Sequence, residues 1–259
     1  MRLALGVEYA GTHFCGWQYQ PHARTVQEAL QKAISTVANH QVEVFAAGRT
    51  DTGVHALNQV IHFDTEAVRS DRGWLLGINT NLPEDVNVTW IKPVDDDFNA
   101  RFSALKRSYR YLILNRLSRS AVHHNRMWWH HHPLDIQRMQ AAADQLIGRH
   151  DFTAFRATEC QAKSPVKTLD KILVSRQQDC IAIDVEAKSF LHHMVRNLVG
   201  VMTAIGDGSK PVEWAGEVLR SVDRRQGGIT SPPQGLYLVD VRYPEQYSLP
   251  TVSGFPVLW

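Results

Sequence analysis

Arg2-Leu3-Ala4-Leu5-Gly6-Val7-Glu8-Tyr9 and, beyond a glycine-bearing loop, Thr25-Val26-Gln27-Glu28-Ala29-Leu30 decide the fold. The first segment alternates and predicts a strand. Ala10 to Arg24 holds Gly11, Gly16 and Pro21 and reads as loop. Thr25 with Glu28 three residues on has the form of a capping box, and Ala29, Leu30, Ala33, Ile34 and Val37 follow at helical spacing. Working outward, Gln41 to Ala47 and Asn58 to Asp64 predict two strands, Ser70 to Asn79 a helix and Val86 to Lys92 a strand. The order is β-α-β-β-α-β, a ferredoxin-like arrangement.

A second pass begins near Ser103. Ser108 to Leu114 predicts a strand and Leu134 to Ile147 a helix. Leu169 to Ser175 and Cys180 to Ala187 form a strand pair turning at Gln177-Gln178-Asp179. Phe190 to Ile205 predicts a helix, Val212 to Val222 another with Pro211 near its first turn, and Leu236 to Val241 the last strand. The expected class is α+β: two ferredoxin-like (RRM-like) α/β lobes, residues 1–102 and 103–259, with mainly antiparallel sheets flanking a central active-site cleft.

The 259 residues are 44% hydrophobic and 21% charged, ordinary for a folded chain that buries a core. No apolar run approaches the roughly 18 residues of a membrane span, and Gly6 and Glu8 interrupt the N-terminus too early for a signal peptide. Cys15, Cys160 and Cys180 are odd in number and form no CxxC pair, which argues against a disulfide framework and a zinc site and fits a reducing cytoplasm.

Net charge is only +2, but its distribution is uneven. From Phe98 to Leu134 there is no acidic residue, against seven cations: Arg101, Lys106, Arg107, Arg110, Arg116, Arg119 and Arg126. Phe102, Tyr109, Tyr111, Trp128 and Trp129 are interleaved with them. A charge run is ordinarily a solvated face. Cations with aromatics suit phosphate contact plus base stacking, so Arg101, Phe102, Lys106, Arg107 and Arg110 are candidate nucleic-acid contacts.

Gly48-Arg49-Thr50-Asp51-Thr52-Gly53-Val54-His55-Ala56 carries the chemistry. Glycines bracket Asp51, so the backbone can bend and present the carboxylate. A turn aspartate bonding its own backbone is the ordinary alternative. The nine residues resemble the catalytic-aspartate motif of the tRNA pseudouridine synthase A family. Glu8-Tyr9-Ala10-Gly11-Thr12-His13-Phe14-Cys15-Gly16-Trp17-Gln18 resembles its opening segment. Phe98-Asn99-Ala100-Arg101-Phe102 and Arg107-Ser108-Tyr109-Arg110-Tyr111 resemble its second motif. Ser189-Phe190-Leu191-His192-His193-Met194-Val195-Arg196-Asn197 resembles its third, and Gln234-Gly235-Leu236-Tyr237-Leu238 its closing strand. Two positions depart: Lys167 stands where an arginine is common, and Pro232-Pro233 is unusually proline-rich.

The resemblance implies isomerisation of uridine to pseudouridine at positions 38 to 40 of the tRNA anticodon stem-loop, with base flipping, by a cytoplasmic homodimer. It makes Asp51 the nucleophile, sets Tyr109 against the target base and pairs Arg196 with the aspartate. It also makes Arg49, Arg101 and the segment Glu159-Cys160-Gln161-Ala162-Lys163 tRNA contacts.

That chemistry consumes no electrons, phosphate or water, so no cofactor is expected, and no Rossmann or Walker fingerprint occurs. A carboxylate can act as nucleophile toward C6 of the ring or C1′ of the ribose. A guanidinium beside it favours its ionised form. His192, Arg196 and Gly200 at i, i+4 and i+8 predict one helix face. Tyr109 and Tyr111 share one strand face, Tyr111 assigned to the core and Tyr109 to the cleft, where its ring can stack on a flipped uracil. His130-His131-His132 alternate sides of a strand and cannot converge on one ion, so no metal is expected. Two rivals are a non-catalytic ferredoxin-like RNA-binding protein and a metal-dependent hydrolase. The first does not need Asp51, Tyr109 and Arg196 together, and the second lacks ligand spacings near Asp51.

Overall fold

Residues 1–250 are described by the computed structural model. In chain order the main elements are β1 (Arg2–Tyr9), α1 (Val26–Ala38), β2 (Phe45–Ala46), β3 (His55–Asp64), α2 (Asp71–Asn81), β4 (Val86–Val94), β5 (Lys106–Asn115), β6 (Trp128–His130), α3 (Ile136–Asp144), β7 (Gly148–Asp151), β8 (Val166–Gln177), β9 (Cys180–Ala187), α4 (Met194–Gly206), α5 (Trp214–Ser221) and β10 (Leu236–Arg242). The class is α+β with mostly antiparallel pairing. One compact unit comprises Met1–Arg107 and the described residues from Tyr237 on; Ser108–Leu236 form the other. The division falls after Arg107 rather than after Phe102, and the closing strand joins the first unit. Its partner is β3, to which β10 runs parallel with Tyr237 opposite His55 and Leu238 opposite Ala56. Nothing local to the closing strand encodes so distant a partner.

In the first unit the strands run β4-β1-β3-β10, with β2 also beside β3. β1 is antiparallel to both its neighbours, so Leu5 lies opposite Ile61 and Ile91. Leu3, Ala4, Leu5 and Val7 are all buried, as a central strand requires. The register slips between Val7 and Tyr9, the kind of irregularity that re-aims a side chain. α1 packs on α2, and Gly77 permits the approach: a Cβ there would lie 3.1 Å from the Val37 side chain. The strand expected over Gln41 to Ala47 contracts to Phe45–Ala46, because the Val42 amide donates to Ser35 Oγ on α1 rather than to a neighbouring strand.

Helix starts divide between expectation and correction. Ser70 caps α2 by accepting from the Gly73 amide, and Asp135 caps α3 by accepting from the Gln137 and Arg138 amides. Thr25 occupies the N-cap of α1, but no capping box forms. The Val26 amide donates to Gly16 O and the Gln27 amide to Trp17 O, so carbonyls of the preceding loop take the donors a capping hydroxyl would serve. Glu28 turns instead to Lys32 at 2.6 Å. The Thr25 hydroxyl is left buried without a partner.

The second unit orders its strands β5-β9-β8-β7, with β6 parallel to β5. β8 and β9 form the expected hairpin, Gln177 opposite Cys180, with Gln178 left-handed at φ 53°. α4 is buried on nearly every side: of its residues only Arg196 and Ala204 are not. It begins at Met194 rather than Phe190, because His193 is left-handed (φ 60°) and stops the helix from extending backward. His192 therefore precedes the helix, and the expected face His192-Arg196-Gly200 does not exist. β7 has no counterpart among the predicted strands.

A buried, unpartnered hydroxyl costs roughly 1–3 kcal/mol. Thr25→Val, which keeps the β-branched shape, is expected to raise stability by about 1 kcal/mol in urea denaturation, the opposite of removing a working cap. A loss of stability would show that the hydroxyl is used.

Candidate active site

Asp51 stands on a turn assembled wholly within the first unit. Its carbonyl accepts from the Val54 amide at 3.1 Å, and Gly53 adopts φ 78°, which a side chain would disfavour. Thr50 before it is buried, Asp51 half-buried and Thr52 exposed, so the carboxylate sits at the rim of the core. The opening segment holds the turn from behind. The Trp17 amide donates to Thr50 O at 3.0 Å and the Gly53 amide to Phe14 O at 3.4 Å. Tyr9 OH and Thr50 Oγ1 share a buried hydrogen bond of 2.8 Å, and the Gly11 amide donates to Nδ1 of buried His55 at 3.0 Å. Two glycines permit these approaches: a Cβ on Gly11 would lie 1.9 Å from Val54 O, and one on Gly16, at φ 85°, 2.8 Å from Thr50 O. Tyr9, Gly11, Gly16, Thr50 and His55 are thus supports that motif reading quoted without a role.

The second motif is tied to the same unit through Arg107. Its guanidinium, with the residue only 8% exposed, donates to Ala47 O at 2.8 Å and Arg101 O at 2.7 Å. It links the chain entering the aspartate segment to the turn around Ala100. That turn is held by the Ala100 amide donating to His62 Nδ1, by Tyr243 OH donating to Ala100 O, and by Asn99 Oδ1 accepting from the Arg101 and Phe102 amides. Arg101 and Phe102 point outward from it, the guanidinium 5.4 Å from the ring centre and Phe102 77% exposed. Arg49 is also exposed and Lys106 half-buried.

In the second unit Tyr109 lies on the buried face of β5, its ring edge-on to Phe190 at 5.0 Å. Tyr111 is fully buried and donates to Pro232 O at 2.6 Å, and burial pushes its phenol well above the usual range. The core role expected for Tyr111 is met, and this bond gives Pro232 a place. Arg196 projects from the first turn of α4 and donates through Nε to Ser231 O at 2.8 Å. Ser231 answers with its amide and hydroxyl, both donating to Arg196 O. Gly200 is required by packing: a Cβ there would lie 1.8 Å from Ile229 O. In the segment Glu159-Cys160-Gln161-Ala162-Lys163, Cys160 Sγ accepts from the His192 amide at 3.4 Å, while Glu159, Gln161 and Lys163 are exposed and Ala162 half-buried.

The strip without acids in sequence is not one in space. Arg110 forms a two-pronged pair with Asp184 at 2.6 and 2.8 Å, and Arg116 lies 3.8 Å from Asp179. Asn115 binds the carbonyls of His130 and His132, and burial lowers the His130 pKa.

With this geometry in hand, comparison with known proteins is specific. The family described as tRNA pseudouridine synthase matches residues 6–103 and 142–244. Among curated relatives, the tRNA pseudouridine synthase A of Colwellia psychrerythraea is 53% identical over 250 residues, covering 96% of each chain. That of Alcanivorax borkumensis is 52% identical over 259 residues, covering 100% of this chain and 97% of the other. That of Hydrogenovibrio crunogenus is 49% identical, covering 99% of this chain and 98% of the other. The chain is an RNA-modifying isomerase by class. It belongs to the tRNA pseudouridine synthase family.

Two outcomes test the supports. Gly16→Ala is expected to lower turnover much more than Gly208→Ala. Both replace a left-handed glycine, but a Cβ on Gly208 meets nothing within 4 Å whereas one on Gly16 meets the aspartate turn. Equal turnover in the two variants would detach Gly16 from the site. The second concerns His62, whose pKa is lowered to about 4 by burial first and then by Arg2, with Asp64 opposing. Between pH 6.5 and 4 the unfolded chain binds a proton that the folded chain refuses, so stability falls as pH drops through that window. His62→Asn should remove up to about 3 kcal/mol of that fall, read as the difference in urea midpoint between pH 7 and pH 4.

Proposed function

We propose that this enzyme isomerises uridine at positions 38 to 40 of the tRNA anticodon stem-loop, with Asp51 as nucleophile, Tyr109 against the target base and Arg196 paired with the aspartate. As a tRNA pseudouridine synthase, it breaks the N1–C1′ bond of a uridine, turns the uracil and joins C5 to C1′. The carboxylate that attacks is released when the new bond forms, the C5 proton leaves and N1 gains one. Atoms and electrons therefore balance without a cofactor. The observation that supports the reading is the presentation of Asp51: its turn is closed by Val54 and bound from behind by Phe14 and Trp17, with Asp51 half-buried at the rim. Such preorganisation lets a charged group act without reorganising during the reaction.

On this reading the catalytic residues are divided between two ferredoxin-like units, Asp51 belonging to the first and Tyr109 and Arg196 to the second. Arg49, Arg101, Phe102, Lys106 and the Glu159–Lys163 segment meet the RNA, which is supported by their exposure or position at the rim. Arg107 and Arg110 serve indirectly, since each grips protein oxygens. Flipping a uridine out of a stem costs a few kcal/mol, and phosphate contacts with the exposed arginines supply compensation. The enzyme acts as a cytoplasmic homodimer.

Asp51→Asn is expected to abolish tritium release from tRNA labelled at uridine C5, by at least about 10³-fold, while tRNA binding persists. Release by the unaltered enzyme should be unchanged by EDTA. Full turnover in Asp51→Asn would overturn the assignment, and loss of release in EDTA would overturn the metal-free chemistry.

A further inference from the structure

We infer that Arg224 is a positioning residue for Arg196, acting through the segment Gly227–Ser231; this rests on the proposed role of Arg196. Arg224 follows α5 and is half-buried, and burial lowers its pKa. Its three acceptors are neutral: Gly228 O at 2.9 Å, Asn197 Oδ1 at 3.0 Å and Thr230 Oγ1 at 3.0 Å. A desolvated cation with only neutral acceptors is costly to keep, so its geometry matters more than its charge pairing.

The geometry is a chain of short links ending at Arg196. Asn197, the residue after Arg196, is 2% exposed and bonds through both ends of its amide. Its Nδ2 donates to Phe155 O at 2.8 Å, and its Oδ1 accepts from Arg224 and from Thr230 Oγ1 at 2.7 Å. The next residue, Ser231, bonds the Arg196 backbone twice and accepts from Arg196 Nε. Gly228 and Ile229 lie directly on α4 at Gly200, where no side chain fits between the two backbones. Arg224 therefore fixes where the Ser231 carbonyl stands. That carbonyl sets the rotation of the Arg196 guanidinium, because a planar fork held at Nε has its remaining nitrogens aimed in one direction.

Arg224→Met is expected to lower kcat by roughly 10- to 100-fold, with KM for tRNA changed by less than about 3-fold, since misplacement of a reacting-site group by an ångström has that effect. Arg224→Lys should lie between, because one ammonium on a flexible stem cannot meet three acceptors as a planar fork does. Combining Arg224→Met with Arg196→Lys should cost little beyond Arg196→Lys alone. Thr230→Val, which removes one acceptor and the link to Asn197, tests the same chain if Arg224→Met does not fold by circular dichroism. If Arg196→Lys keeps full kcat, the reading of Arg196 fails and the inference falls with it. If Arg196→Lys is impaired while folded Arg224→Met or Thr230→Val turns over normally, or if the effects of Arg224→Met and Arg196→Lys simply multiply, the inference alone is overturned.

Discussion

Between the opening loop and the aspartate turn, backbone lies on backbone, and the rest of the first unit is arranged around that contact. Gly11 and Gly16 are the points where it occurs, because a side chain at either would collide with a carbonyl oxygen of the turn. The same loop also supplies the carbonyls of Gly16 and Trp17 to the first amides of α1. One stretch of chain thus satisfies a helix terminus on one side and fixes a carboxylate on the other. Tyr9, placed just past a slip in the register of β1, adds a side-chain bond to Thr50 from the sheet. Loop and strand hold the turn directly, and the loop is itself anchored to α1, which gives a short polar segment its rigidity.

Arginine does the corresponding work elsewhere, and its partners separate its roles. Arg110 faces Asp184 and Arg2 faces Asp64, pairs that hold adjacent strands and largely cancel their charge. Arg107 and Arg224 grip carbonyl, amide and hydroxyl oxygens. A neutral oxygen orients the guanidinium fork without neutralising it. In the first unit that arrangement couples the Ala47 carbonyl to the turn bearing Arg101 and Phe102. A substitution of Arg107 would therefore disturb the aspartate segment and the exposed Arg-Phe pair together, although neither is its neighbour in sequence.

The alternating and helical patterns were legible where local and tertiary demands agree. β1 spans Arg2–Tyr9 as its alternation predicts, and Ser70 caps α2 because nothing else competes for its amides. The capping box at Thr25 was misread because a loop nine residues earlier supplies better-placed acceptors, a fact without any signature in Thr25-Val26-Gln27-Glu28. The start of α4 was misread because Phe190 and Leu191 continue its apolar pattern, while the left-handed turn at His193 has no glycine or asparagine to announce it. For the site, motif resemblance singled out the aspartate segment, Tyr109 and Arg196. It gave no sign of the packing at Gly16 and Gly200, since each faces a backbone oxygen far away in sequence, nor of the Arg224 bond to Asn197. The acid-free run is likewise interrupted only in the fold: Asp184 and Asp179 lie beyond its end in sequence and reach Arg110 and Arg116 there.

Isomerisation makes unusual demands on such a scaffold. On the proposed mechanism the polypeptide itself holds a carboxylate and a guanidinium in fixed attitudes while a base leaves and returns. Held at Nε by the Ser231 carbonyl, the Arg196 guanidinium loses freedom to rotate. The cost of that freedom is met during folding, in the stitching of Gly227–Ser231 onto α4, rather than at the moment of reaction. Sequence change in this segment would then act on turnover more than on tRNA affinity, because the segment meets α4 through buried Ser231 and through the backbone of Gly228 and Ile229 at Gly200.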